Sequence, residues 1–148
     1  MKAFFKICLI VASSLIALGI VLLAVGVSLN GGIEMNKYVT KTYDNLEEFN
    51  DIYINADTAD INFLKSTDNK AKVVCYEQEK EWYNVVVQGG KLSIEVQNNK
   101  KWYDYISVSF KTPKITVYLP NFEYGAVSVK VSTGSVVLNK EFTFTSKL

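Results

Sequence analysis

The chain has 148 residues, with 16 basic and 15 acidic side chains and no histidine, and every basic residue is lysine. The balanced charge and the absence of arginine argue against nucleic-acid or phosphate binding, which favours clustered positive charge and the arginine fork. Without histidine, the commonest general base and zinc ligand are missing. We therefore predict a protein that is not an enzyme, with no catalytic, metal-ligating or cofactor-binding residues and no cofactor.

An uncharged apolar segment near the N-terminus runs from Ile7 to Leu29. As a helix it would be about 34 Å long, which is enough to cross the hydrocarbon core of a lipid bilayer. Lys2 and Lys6 precede the segment, and no charged residue follows it until Glu34. The positive-inside rule then predicts a single-pass cell-membrane protein with a cytoplasmic N-terminus and an extracytoplasmic C-terminal domain.

A cleaved signal peptide is the alternative interpretation of this segment. Signal peptides have apolar cores of about 7 to 15 residues that end in a small-x-small site. The segment here is longer, and Ala24-Val25-Gly26 is a poor version of that site, which favours an uncleaved signal-anchor. Ala12, Gly19 and Gly26 recur every seven residues and form a candidate span-packing face, although small residues are also common in such helices.

Beyond the apolar segment, apolar and polar residues alternate, which is the period of half-buried β-strands. The alternating segments are 52–54, 61–63, 115–119 and 127–131. We predict an N-terminal transmembrane anchor over residues 1–30, a linker over 31–44 and an all-β domain over 45–148.

The clearest local prediction is a β-hairpin around Gly89-Gly90. The flanking segments 84–88 and 91–97 have strand composition, and two consecutive glycines suit a two-residue type I′ turn. This turn fixes the register of the hairpin. The predicted facing pairs are Val87–Leu92, Val85–Ile94 and Tyr83–Val96. They form one apolar face, and Trp82 falls on the wetter face.

An internal repeat relates residues 52–63 to residues 127–138 without gaps. Both segments read as a strand, a small polar corner and a second strand. The alignment superposes Thr58 on Thr133 and places Asp60 on Ser135. A recurring unit of this kind predicts a β-solenoid-like or stacked antiparallel β-repeat fold, because each unit buries its apolar face on the next.

Six short motifs follow one another along the β-domain. They are FNDIYI at 49–54, DINF at 60–63, VVCYE at 73–77, GKLSI at 90–94, ITVYLP at 115–120 and VSTGSV at 131–136. In order and spacing they resemble the DUF4097 family of adhesin-like β-strand-repeat domains from Gram-positive cell envelopes. The resemblance implies a β-repeat fold on the cell envelope without an established catalytic role. Because such domains look longer, we expect a shortened member whose strand pattern is incomplete at the C-terminus.

Two acidic groups have structural rather than chemical interpretations. Asp57 and Asp60 flank the first corner, but a calcium site needs six to eight oxygen ligands, which favours a turn-forming role. Glu77, Glu79 and Glu81 alternate near a predicted strand end, and we interpret them as a solvated edge rather than an acid/base pair.

Trp82, Tyr103 and Tyr105 are the candidate ligand-contact residues. In a strand over 105–110, Tyr103 and Tyr105 would fall on the face opposite the buried side chains. Sugar rings stack on such aromatic platforms, since tryptophan and tyrosine combine an apolar ring with a polar group. Aromatic side chains that cover a core or lie near the lipid interface are the alternative.

The leading hypothesis is a membrane-anchored extracytoplasmic interaction module of the cell envelope, adhesin-like and without catalysis. It would meet the lipid bilayer through residues 7–29 and a protein or wall polymer through its sheet. The alternative is a structural, assembly or envelope-stress accessory protein that acts mainly through its transmembrane span. The strands near 136–138 and 142–144 carry no obvious cap, so this C-terminal strand edge is a candidate for self-association.

Overall fold

The computed structural model describes residues 2–29, 37–102, 104 and 111–147. The chain divides into two compact units, 1–35 and 36–148. A helix forms the first unit and β-strands form the second.

Helix α1 spans Lys2–Leu29. Among the described residues it is the one helix long and apolar enough to cross a membrane, over the 23 residues Ala3–Val25; a signal sequence has the same properties. Its serines do not leave hydroxyl groups unpaired, because Ser13 donates to the Ile10 carbonyl and Ser14 to the Val11 carbonyl, both at 2.9 Å. Such internal bonds make the polar side chains compatible with an apolar surrounding.

The β-unit contains ten described strands. They are β1 (Tyr38–Tyr43), β2 (Asp51–Thr58), β3 (Asp60–Lys65), β4 (Lys72–Gln78), β5 (Glu81–Gln88), β6 (Lys91–Asn98), β7 (Lys114–Leu119), β8 (Glu123–Thr133), β9 (Val136–Leu138) and β10 (Thr143–Lys147).

The strands join into one curled sheet in the order β10-β8-β2-β6-β5-β4-β7-β3-β9, and β1 pairs with β4 beside this path. Strand β2 runs parallel to β6 and β8, and β3 runs parallel to β7 and β9. The pairs β5–β6, β4–β7 and β1–β4 are antiparallel. The inward side chains form one buried apolar core. The all-β, β-solenoid-like prediction is confirmed.

The internal repeat is a physical stack of two units. We call β2 and β3 the first coil and β8 and β9 the second coil. Ile52 pairs with Val127, Thr58 with Thr133 and Ile61 with Val136. This is the register of the gap-free sequence alignment, so the repeat directly specifies which backbone groups bond to each other.

The two corners approach so closely that the second one requires glycine. The Ala59 N–H donates to the Thr133 carbonyl at 3.0 Å, and a Cβ on Gly134 would lie 1.9 Å from the Ala59 carbonyl oxygen. Asp60 joins the corners through its side chain, since its Oδ1 accepts from the Ser135 N–H at 3.0 Å and from the Ser135 hydroxyl at 2.7 Å. The polar corner residues therefore connect neighbouring coils.

The hairpin prediction is confirmed in its register. All three predicted facing pairs are found, and Gly89 and Gly90 have φ angles of 58° and 75°, as a type I′ turn requires. Its strands extend beyond the predicted limits to Glu81–Gln88 and Lys91–Asn98. Trp82 is half-buried on the face opposite the core.

The segment predicted as a linker, residues 31–44, contains a strand. Tyr38–Tyr43 form β1, which pairs along its whole length with β4, Tyr38 facing Gln78 and Tyr43 facing Val73. Four of its six residues are exposed, so β1 lacks the alternation that identifies a half-buried strand. Backbone pairing with β4 and contacts of its two end tyrosines hold it in place, and these leave no alternating signature in the sequence.

Candidate functional site

A cleft of about 730 Å³ lies where β2, β6 and β8 begin. We call it the end cleft. It is lined by residues 45–50, 69–71 and 120–121 together with Gly90 and Tyr124. These residues come from the approach to β2, the β3–β4 turn, the β5–β6 turn and the β7–β8 connection, so four separate connections meet at one end of the sheet.

Backbone hydrogen bonds fix the first wall of the end cleft. The N–H groups of Asn50 and Asp51 donate to the Gly90 carbonyl at 2.8 and 3.2 Å, and the Gly125 N–H donates to the Asn50 carbonyl at 2.8 Å. The approach to β2 is thereby tied to both the hairpin turn and β8. Leu46 and Phe49 of this segment also pack against the core, so backbone bonds and side-chain burial together fix its position.

The β3–β4 turn is fixed by its own side chains. The Asp68 carboxylate accepts from the Ser66 hydroxyl at 2.6 Å and from the Lys70 N–H at 3.2 Å. The Ser66 hydroxyl, followed by the Lys70 N–H, holds the pKa of Asp68 below its usual range. Asn45 and Asn69 both have a φ of 54°, a left-handed conformation that asparagine tolerates better than most residues. Each follows an aspartate in the sequence.

The polar surface of the end cleft is rich in amide groups. Asn45, Asn50, Asn69 and Asn121 are exposed, and within the described part of the chain their side-chain amides make no hydrogen bond. Each amide offers N–H donors and a carbonyl acceptor. The charged lining residues have both signs, with Glu47 and Glu48 acidic and Lys70 basic.

The apolar surface of the end cleft includes a pair of stacked rings beside Leu46, Ala71 and Pro120. Phe49 is half-buried and stacks on the buried Tyr124, with ring centroids 5.9 Å apart and an interplanar angle of 28°. The Asn121 N–H donates to the Tyr124 hydroxyl at 3.3 Å. Burial raises the pKa of Tyr124, so this phenol is neutral at physiological pH. The cleft can therefore offer hydrogen bonds and a flat apolar contact together.

The prediction of a solvated acidic edge is wrong for two of its three glutamates. Glu77 is fully buried; its Oε2 accepts from the Tyr83 N–H at 2.8 Å and its Oε1 forms an ion pair with Lys41 at 2.6 Å. Glu81 is also buried and pairs with Lys100 at 2.5 Å. Glu79 alone lies exposed in the turn between β4 and β5.

For Glu77, the reason for its burial is the neighbouring strand β1. Lys41, from β1, reaches the buried carboxylate of Glu77, and this carboxylate raises the pKa of Lys41.

Cys75 lies two residues before Glu77 on the same strand, where burial raises the pKa of its thiol to about 12. The thiol is protonated at neutral pH, which makes it a poor nucleophile. This buried group is structural.

Of the three ligand-contact residues predicted from the sequence, the structure describes only Trp82. Trp82 lies on the outer face of β5 and does not line the cleft, while Tyr103 and Tyr105 lie outside the described residues. On α1, Ala12 and Gly19 are exposed, and Gly26 lies within the helix. The cleft residues were missed because they lie in connections, where the Asp-Asn pairs at 44–45 and 68–69 and the Gly89-Gly90 pair predict turns but not a ligand site.

No curated protein matches the chain. Solved structures do: a "putative adhesin" from Bacteroides fragilis is 27% identical with a TM-score of 0.51, covering 70% of this chain and 44% of its own. A "putative adhesin" from Parabacteroides merdae is 16% identical with a TM-score of 0.44, covering 64% and 37%. A "putative lipid binding protein" from Parabacteroides distasonis is 20% identical with a TM-score of 0.43, covering 68% and 40%.

This chain thus spans less than half the length of the solved proteins that it resembles. The resemblance drawn from the six sequence motifs is confirmed by a family model that covers the β-domain from Phe49 to the final strand. The chain belongs to the family described as Toastrack DUF4097, whose model matches residues 49–147.

Proposed function

We propose that this chain is a membrane-anchored, extracytoplasmic interaction module of the adhesin-like kind, which acts at the cell envelope without catalysis. One combination carries the proposal: an apolar N-terminal helix in a chain whose β-domain is 27% identical to a protein named a "putative adhesin". The helix would hold the domain at the bilayer. The domain would offer its connections and outer faces to a protein or a wall polymer.

The proposed orientation depends on charge asymmetry. Lys2 and Lys6 precede the uncharged apolar segment 7–29, and positive charge next to a span favours the cytoplasmic side. The β-domain would then lie outside, beyond residue 30. The domain also has a wide polar outer face, on which Asn84 is exposed beside the half-buried Trp82.

One crosslinking experiment tests both orientation and contact. A membrane-impermeant, thiol-reactive photo-crosslinker is applied to intact cells that carry Asn84→Cys in a Cys8→Ser background. The buried Cys75 should not react because burial raises its thiol pKa. We expect labelling at residue 84 without cell lysis and, after illumination, a discrete adduct with an envelope component. Labelling only after lysis would contradict the proposed orientation.

A matched variant separates this proposal from action through the span. Replacing Ala12, Gly19 and Gly26 together with leucine removes the small helix face and leaves the β-domain unchanged. The adduct should persist in this variant if the domain makes the contact. Loss of the adduct would instead favour a structural or assembly protein that works through its transmembrane helix.

A further inference from the structure

We propose that the end cleft binds a short neutral oligosaccharide. Its volume of about 730 Å³ lies within the range of about 300–1,000 Å³ that is usual for small-molecule sites. The cleft is distinct from the outer face of β5, where the half-buried Trp82 lies.

The hydrogen-bonding groups of the cleft match neighbouring sugar hydroxyls. A sugar hydroxyl is both a donor and an acceptor, and two hydroxyls on adjacent carbons present such groups side by side. A carboxamide presents N–H donors beside a carbonyl acceptor. Asn45, Asn50, Asn69 and Asn121 supply four exposed amides around one cleft. This favours a ligand with many neutral donor–acceptor groups.

The aromatic wall supplies the second requirement. The half-buried ring of Phe49, supported from behind by Tyr124 at a centroid distance of 5.9 Å, gives a flat apolar surface beside the amides. The C–H face of a pyranose ring is apolar, while its hydroxyls lie around the rim. The same ligand can therefore contact the ring with its face and the amides with its edge.

The charges of the cleft disfavour other ligand classes. A phosphate-bearing ligand needs concentrated positive charge, but here Lys70 is opposed by Glu47 and Glu48. An acyl chain would cover the exposed asparagines, whose amides would lose their water contacts without replacement hydrogen bonds. A neutral polar ligand needs no excess of positive charge, and it can replace the water contacts of the asparagine amides with its own hydrogen bonds.

The backbone around the amides is largely pre-organised. Asn50 is bonded through its backbone to the Gly90 carbonyl and the Gly125 N–H, and the turn before Asn69 is held by the Asp68 carboxylate. A ligand then has to order side chains rather than whole loops, which lowers the entropic cost of binding.

This proposal names the ligand class for the proposed interaction module, but its test does not depend on membrane orientation. The purified full-length chain is titrated by calorimetry in a zwitterionic detergent that has no sugar headgroup. The probes are chitotetraose, which carries the acetamido groups of envelope glycans, maltotetraose, a free glucan, and an uncharged polar decapeptide. We expect saturable binding of a tetrasaccharide and none of the peptide.

The decisive variant is Asn45→Gly with Asn69→Gly. Glycine accepts the left-handed φ of 54° at both positions, so the variant removes two amides without straining the turns. Losing two hydrogen bonds should weaken tetrasaccharide binding about tenfold. Asn99→Gly, which removes an exposed amide outside the cleft, should leave the affinity unchanged, and all three proteins should melt together.

Each outcome bears on the proposal separately. Absence of tetrasaccharide binding at millimolar concentrations, preference for the decapeptide, or equal affinity in the Asn45/Asn69 variant would overturn it. Saccharide binding by a chain whose domain proves to be cytoplasmic would leave this inference standing and remove the proposed function. An extracytoplasmic domain that binds no saccharide would remove this inference and leave the proposed function standing.

Discussion

The two coils share one backbone register but differ sharply in burial. Phe63 in the first coil is 1% exposed, whereas Leu138, its partner in the second coil, is 43% exposed. Ile61 and Val136 show the same contrast, at 0% and 45%. The first coil has strands β6 and β7 on one side and the second coil on the other. The burial of an apolar side chain in this fold therefore depends on whether strands lie on both sides of its coil. The alternating apolar pattern alone does not determine it.

The largest expected effect comes from truncating this aligned pair. Phe63→Ala removes a fully buried ring and should lower the free energy of unfolding by about 3–5 kcal/mol. Leu138→Ala should cost only about 1 kcal/mol, since much of that side chain is already in water. Thermal unfolding of the full-length chain in mild detergent, followed by near-ultraviolet circular dichroism, measures both.

Equal losses in the two variants would contradict the difference in burial. If the loss for Leu138→Ala also grew with protein concentration, the second coil would be covered by another copy. That is the self-association predicted for the C-terminal strand edge. Strand β10 pairs with β8 only over residues 123–127, and it leaves the rest of β8 without a described partner on that side. Sedimentation at several concentrations would separate this case from a uniformly destabilised monomer.

The repeat shows what sequence reasoning can recover. The alignment of 52–63 on 127–138 gives the register of two strand pairs, because the same residues that look alike also bond to each other. The Gly89-Gly90 turn likewise sets the hairpin register. The register of the coils is encoded by a repeated sequence, and the register of the hairpin by a local turn. Strand β1 was missed because its four middle residues are all exposed, so the strand lacks the alternation of a half-buried one.

The site was less predictable than the fold. Glu77 looked like a surface carboxylate because its partner Lys41 comes from a distant edge strand. The end cleft brings Asn45, Asn69 and Asn121 together from three connections, and each appears in the sequence as an ordinary turn residue. Such convergence depends on the sheet order, which no local pattern encodes.

A smaller effect is expected where the two corners touch. Gly134 has a φ of 139°, and a Cβ there would meet the Ala59 carbonyl at 1.9 Å. Gly134→Ala should therefore destabilise the chain by roughly 2–3 kcal/mol through backbone strain and separation of the coils. Gly89→Ala is the matched control, because its Cβ meets nothing within 4 Å, and it should cost only about 1 kcal/mol. Similar melting temperatures for the two variants would show that the corners are not in tight contact.

The smallest expected effect concerns the polar bond between the coils, and it depends on pH. The Ser135 hydroxyl, followed by the Ser135 N–H, lowers the pKa of Asp60 below its ordinary value of 3.8. In the unfolded chain the carboxylate therefore takes up its proton first as the pH falls. The stabilisation from this pair is present above pH 3.8 and disappears as the pH falls through the lower pKa of the folded protein.

Ser135→Ala should remove part of this stabilisation while the backbone N–H of residue 135 remains. The variant should melt below the parent at pH 7, and the difference should shrink toward pH 3, where Asp60 is increasingly protonated. Ser132→Ala, which changes an exposed serine of β8 just before the corner, should match the parent at both pH values. If the deficit of Ser135→Ala is the same at pH 3 as at pH 7, the hydroxyl does not act through the ionised Asp60. The first and second coils would then be held together at this corner by the backbone bonds and the bond from the Ser135 N–H to Asp60.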